Sequence, residues 1–177
     1  MPSKDASPFP STPDPGAEPP LRLERFLPYR LSVLSNRVSS AIAQVYSDRF
    51  GLAITEWRVM AVLGRFPELS ANEVAQRTAM DKVAVSRAVS RLLESGRLER
   101  ETHGGDRRRS VLRLSPEGLR IYREVAPLAL DFERRLLAGM NEDERALLFG
   151  LLDRLDRLEL EAEAEAAGPP RPPAPGR

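Results

Sequence analysis

Apolar side chains recur at helical spacing along most of the chain between residues 21 and 167. Leu27, Leu31, Leu34, Val38, Ala41, Ile42 and Val45 step by three and four, the period of one face of an α-helix. Pro28 suits a first helical turn and Gly51 a terminus, which predicts a helix from about Pro28 to Phe50. A second helix, capped by Thr55 and stopped by Pro67, carries Trp57, Val59, Met60, Val62, Leu63 and Phe66. Ser70 with Glu73 three residues later is a capping box that opens a short third helix. Asp81 caps a fourth, which ends at Gly96. Helices this short, joined by so few residues, must cross sharply and pack as a three-helix unit.

Past Gly96 the period changes. Residues 97–102 and 110–114 read as two short strands, with Gly104 and Gly105 permitting a tight reversal between them. A two-stranded hairpin is marginal alone, so it must lean on the helices before it. Ser115 and Pro116 then cap a long helix to about Gly139, and Pro127 inside it predicts a kink. Asn141 and Glu144 cap a last helix to about Ala167, in which Leu148, Leu151, Leu155, Leu158 and Ala162 form a short coiled-coil-like seam.

Composition divides the chain further. Of 16 prolines, seven fall in residues 1–20 and five in 168–177, so both segments read as disordered tails. There is no Cys and a single His, His103. That composition excludes disulfides, thiolate metal sites and thiol redox sensing. It also leaves no multi-histidine metal site within one chain. No cofactor and no catalytic constellation is expected. Without a membrane-length apolar run or a signal segment, a soluble cytoplasmic protein is the expectation.

The net charge of +1 conceals a separation. From Lys82 to Arg113 nine basic residues face four acidic ones, whereas residues 131–165 hold eleven acids against five arginines. A cationic helix and hairpin suit duplex DNA, where phosphate neutralisation supplies much of the affinity. On the fourth helix Val85, Ala88, Val89 and Leu92 share one side, to be buried. Lys82, Val83, Ser86, Arg87 and Ser90 share the other. Arg87 has the reach for guanine or phosphate and Ser86 for phosphate or a base edge, while Val83 or Ala84 suits a thymine methyl.

From Thr55 to Tyr122 the chain resembles the MarR family of winged helix-turn-helix transcription regulators. The residues that carry the likeness are Ser86-Arg87, Leu92 and Gly96, then Asp106-Arg107-Arg108, then Leu114-Ser115-Pro116-Glu117-Gly118. The resemblance implies a mainly α fold with a small two-stranded β wing and a helical dimerisation region. In that division 1–20 and 168–177 are tails, 21–54 and 116–167 the dimerisation region, and 55–115 the DNA-binding region. It implies a homodimer on a palindromic operator. The wing would supply Arg107, Arg108 and Arg109, with Arg108 entering the minor groove and Asp106 ordering the wing by a salt bridge. Val83 and Ala84 depart from the small hydroxyl residues common there, so apolar contact is expected in their place.

Family members generally respond to small organic effectors. The first helix offers Arg30, Leu34, Asn36 and Arg37 to receive a carboxylate or phosphate, and Trp57 is a candidate aromatic wall. The stretch from Leu27 to Arg37 also resembles the first helix of MarR-type regulators of aromatic-acid catabolism, and that resemblance implies an aromatic acid or its coenzyme A thioester as the effector. The competing reading gives Arg30 and Arg37 to acids of a partner chain and Trp57 to the core. A repressor of a catabolic or efflux operon is the expected function. The alternative is a winged-helix module that binds protein rather than DNA, because fold alone does not decide function. The run Arg107–Arg109 also has a plainer reading as a solvated turn.

Overall fold

The computed structural model describes residues 21–102 and 110–157. Six helices and one hairpin follow in the order α1 (Leu27–Phe50), α2 (Ile54–Arg65), α3 (Ala71–Thr78), α4 (Lys82–Glu94), β1 (Leu98–Thr102), β2 (Ser110–Leu114), α5 (Pro116–Leu136) and α6 (Glu142–Asp156). The mainly α architecture with one small antiparallel sheet is the one the periodicity predicts. The expected tails, the hairpin tip and the end of the last helix, including Leu158 and Ala162, lie outside the described residues.

Local chemistry accounts for most boundaries. Gly51 closes α1 in the left-handed region at φ 59°, where a side chain is disfavoured. Ser70 and Glu73 cap α3 reciprocally, with Ser70 N–H donating to Glu73 Oε2 at 2.8 Å. The same bonds hold the Glu73 carboxyl below its ordinary pKa. Asp81 Oδ1 accepts from Ala84 N–H at 2.8 Å to start α4, and Asn141 does the same for α6 through Glu144 N–H.

One cap is not where the sequence places it. The N-cap of α2 is Ala53, not Thr55. Glu56 supplies the missing chemistry, since its Oε2 accepts the Ala53 N–H at 3.0 Å. The helix thus starts two residues early. Helix α5 continues through Pro127, which sits on its exposed side.

The core lies where α2, α3 and α4 meet the hairpin and the first half of α5. Val59, Met60 and Leu63 of α2 join Val74 of α3, then Val85, Val89 and Leu92 of α4, Leu98 and Leu112 of the hairpin, and Ile121 and Val125 of α5. Each fully buried aliphatic side chain there contributes about 1.5–3 kcal/mol. The hairpin pairs Leu98 with Leu114 through Thr102 with Ser110. It does not stand alone, because Leu112 N–H also donates to Leu69 O at 2.8 Å, making the α2–α3 loop a partial third strand.

The hairpin base, the end of α4 and the start of α5 are locked together at one point. Ser115 Oγ donates to Gly96 O at 2.7 Å and accepts from Gly118 N–H at 3.0 Å. Ser115 N–H donates to Arg97 O at 3.1 Å. The Arg97 guanidinium reaches back to Phe50 O at 2.5 Å, satisfying a carbonyl that the end of α1 leaves open. A Cβ on Gly118 would run into the Arg97 carbonyl, which is backbone and cannot swing aside.

Gly118→Ala is therefore expected to destabilise the protein by about 1–3 kcal/mol, the usual range for an overpacked site. Gly150→Ala, in α6 with open space around the added methyl, should be neutral or stabilise by up to about 1 kcal/mol. Urea denaturation of the two variants beside the parent checks both signs.

Candidate nucleic-acid interface

Helix α4 is divided along its length. Val85, Ala88, Val89 and Leu92 are buried, while Lys82, Val83, Ser86, Arg87 and Ser90 are exposed and Ala84 is half-buried. Val83 is the telling case, an aliphatic side chain left 59% exposed on a well-packed helix. The division follows from the 3.6-residue period, which sets the four apolar residues on the α2–α3 side and the short polar ones opposite. The exposed side chains near the N-terminus are small, so the helix backbone can come close to a groove floor, while Lys82 and Arg87 reach further.

The charges around α4 are not all equally available. Arg113 on the hairpin donates to Glu99 at 2.8 Å and to Glu101 at 3.1 Å, and these acids push its guanidinium further above its ordinary pKa. The shaft of the hairpin is thus internally neutralised. Arg97 is committed to the Phe50 carbonyl. Lys82, Arg87 and Arg100 have no ion pair among the described residues. Asp106, Arg107, Arg108 and Arg109, together with His103, lie outside the described residues.

A cavity of about 450 Å³ opens between α1, α2 and α5, lined by Val38, Ile42, Trp57, Ala61, Tyr122 and Ala126 among others. Three small residues, Ala61, Ala126 and Ala129, leave its space. The Trp57 ring stacks on Tyr122 at 6.1 Å between centroids and tilts against Tyr46 at 5.6 Å. Tyr122 comes this close because residue 64 is glycine. A Cβ there would lie 2.5 Å from the Tyr122 ring. Burial pushes the Tyr46 phenol above its ordinary pKa, and its hydroxyl has no partner among the described residues.

The five residues singled out in sequence for an effector do not converge. Arg30, Leu34 and Arg37 line a separate concavity of about 650 Å³ with Leu23, Leu27 and Tyr29 at the start of α1. Asn36 is exposed and lines neither space. Trp57 alone belongs to the cavity between α1, α2 and α5. Two residues of that region are absent from the sequence reading, Tyr122 and Glu56. A glycine inside α2 marks a close approach of another chain segment, but not which segment approaches.

Among the described residues no group of His, Asp and Glu is placed to hold a metal ion. None of their helices is long and apolar enough to cross a membrane.

Comparison with known proteins follows the same lines. Residues 50–109 match the MarR family model. The chain is 30% identical over 95 residues to the HTH-type transcriptional regulator BilQ of Clostridium symbiosum, covering 54% of this chain and 66% of that protein. It is 29% identical over 106 residues to a regulatory protein for the hcr operon of Thauera aromatica, covering 60% and 64% respectively. It therefore spans just under two thirds of the length of these curated relatives. A MarR/EmrR family transcriptional regulator from Acinetobacter sp. ADP1, known from its crystal structure, superposes with a TM-score of 0.71 at 29% identity, over 77% of this chain and 96% of that one. With its α4 exposed on one side, its hairpin braced by the α2–α3 loop and its long flanking helices, the chain is similar to MarR-family regulators, in sequence over residues 50–109 and in fold over most of its length.

Proposed function

We propose that the chain is a homodimeric DNA-binding transcription regulator, a repressor that leaves a palindromic operator when a small aromatic or anionic effector binds. The observation that carries this reading is α4. One face is sealed into the core while Lys82, Val83, Ser86, Arg87 and Ser90 stand exposed beside it. A helix so presented fits the major groove, with Arg87 directed to guanine or phosphate, Ser86 and Ser90 to phosphates or base edges, and Val83 and Ala84 to thymine methyls. By the family resemblance Arg107, Arg108 and Arg109 form the wing contacts, Arg108 in the minor groove, with Asp106 ordering the turn. A DNA partner places the protein in the cytoplasm.

Dimerisation is supported by apolar surface that one chain leaves uncovered. Leu34 on α1 is 58% exposed and Leu147 on α6 is 64% exposed, with Leu27, Leu31, Phe149, Leu151 and Leu152 also open. No residue in the described part of α6 is buried. Covering these faces with a second copy removes a large apolar area from water. It also sets two α4 helices about one DNA turn, roughly 34–36 Å, apart.

For the effector, the cavity beside Trp57 favours a planar aromatic body. A coenzyme A thioester is larger than a cavity of about 450 Å³, so the aromatic acid itself fits better. Arg30, Leu34, Asn36 and Arg37, all exposed on α1, belong to the surface that faces the second copy. There the arginines are placed to draw in an anionic group or to meet acids of that copy.

Three measurements test these parts separately. Arg87→Ala and Arg108→Ala should each weaken operator binding about tenfold or more without changing the thermal melt. Binding by the parent should fall steeply with salt. Leu151→Glu should shift the chain from dimer to monomer in analytical ultracentrifugation. Trp57 is the only tryptophan, so an aromatic acid that enters the cavity should change its fluorescence. Ala126→Leu, which fills the cavity, should abolish that change.

A further inference from the structure

The exposed arc of α4 has a middle and two borders. At about 100° per residue, Val83 and Ser90 mark its middle, while Lys82 and Arg91 stand at opposite borders. All four are exposed. A helix in the major groove turns the middle of such an arc to the base edges and its borders to the sugar–phosphate walls. Arg91 is therefore placed for backbone contact.

Arg91 is also tethered. Its Nη1 lies 3.8 Å from Oε1 of Glu56, whose side chain is 9% accessible while that of Arg91 is 67% accessible. The other carboxylate oxygen of Glu56 is held by the Ala53 N–H at 3.0 Å, so the acid is anchored to the first turn of α2. A carboxylate this buried carries a desolvation cost unless a cation and hydrogen bonds offset it. The guanidinium is a planar fork with five donors. Only Nη1 lies within ion-pair distance of Glu56, and the accessible remainder is left for a second anion.

We propose that Arg91 contacts a DNA phosphate and that Glu56 is its positioning residue, holding the guanidinium at the border of the α4 arc. This rests on the DNA-binding reading above. The pairing has a regulatory side as well. Glu56 precedes Trp57, so the cavity wall and the anchor of Arg91 share the first turn of α2. A displacement of that turn moves both. The competing account makes the pair only a staple between α2 and α4. A staple alters stability but leaves the salt dependence of DNA binding unchanged.

The test uses the full chain and a duplex that the wild type selects from a random pool, with affinity read by fluorescence anisotropy across a salt series. Arg91→Ala is expected to weaken binding about tenfold and to make the log–log salt slope shallower by about one. Glu56→Gln keeps an acceptor for the Ala53 N–H but removes the charge, and should weaken binding three- to tenfold. The double variant should bind no more weakly than Arg91→Ala alone, because the two act through one contact. Circular dichroism confirms the fold of each variant, with Arg91→Gln in reserve if the alanine variant does not fold. An unchanged salt slope for Arg91→Ala overturns the phosphate contact. Wild-type affinity in Glu56→Gln, or losses that add in the double variant, overturns the positioning role. If the wild type selects no duplex and shows no salt-dependent binding, it is the DNA-binding reading that has failed.

Discussion

The hydroxyl of Ser115 makes two hydrogen bonds on which the placement of every neighbouring element depends. It donates to the Gly96 carbonyl at the end of α4 and accepts the Gly118 N–H at the start of α5. Around it the chain closes tightly. Arg97 O receives the Ser115 N–H, the missing side chain of Gly118 leaves room for that carbonyl, and the Arg97 guanidinium holds the end of α1. Ser115 and Gly118 are both buried, so loss of the hydroxyl would leave the Gly118 N–H without its acceptor and away from water. With this joint closed, α4 cannot rotate about its axis independently of the hairpin. Which residues of α4 face outward is thus settled by the joint together with the buried ridge of Val85, Val89 and Leu92.

The same rigidity changes how the charge of this region should be counted. Summed along the sequence, the stretch from Lys82 to Arg113 is strongly basic. In three dimensions its arginines have different employments. Arg113 is balanced by Glu99 and Glu101, Arg97 serves a helix end, and Arg91 is shared with Glu56. Among the described residues, the cations of this stretch left without an acid or carbonyl partner are Lys82, Arg87 and Arg100, with Arg91 at the border of α4 only partly engaged. Exposed pairs such as Arg113 with Glu99 add little stability, about 0–1 kcal/mol. Their effect is to keep the hairpin shaft electrostatically quiet.

Much of the fold was legible because its boundaries use local chemistry. Ser70 with Glu73, Asp81, Ser115 and Asn141 cap helices through contacts three residues away, and such contacts can be read from spacing alone. The buried side of α4 was legible for the same reason, since a period of 3.6 needs no knowledge of the partner. The failures are non-local or depend on competition. Thr55 looks like a cap, but Glu56 reaches the Ala53 N–H instead and the helix begins earlier. The Leu69–Leu112 bridge joins segments far apart in sequence, and Tyr122 meets Trp57 only because α5 crosses the glycine of α2. Arg30 and Trp57, which side-chain type alone suggests pairing, line different spaces because Arg30 lies about two helical turns before Val38, where α1 first borders the Trp57 cavity.

The long helices obey a different constraint from the three-helix unit. Along α1, burial deepens toward the C-terminal end, from exposed Leu27, Leu31 and Leu34 through half-buried Val38 and Ile42 to fully buried Tyr46. The apolar period is continuous, but the chain's own core covers only its last turns. An amphipathic helix gains most of its stability from tertiary packing, and the first turns of α1 and the described length of α6 have an apolar stripe that the other described residues leave largely uncovered. The cavity lies at the transition, bounded by Val38 and Ile42 on α1 and by Trp57 and Tyr122 from the other side. A body seated there touches α1 where intrachain packing gives way to exposed apolar surface, and touches α2 one residue from Glu56. Whatever fills that space touches at once the α1 surface where intrachain packing ends and the turn of α2 that carries Glu56.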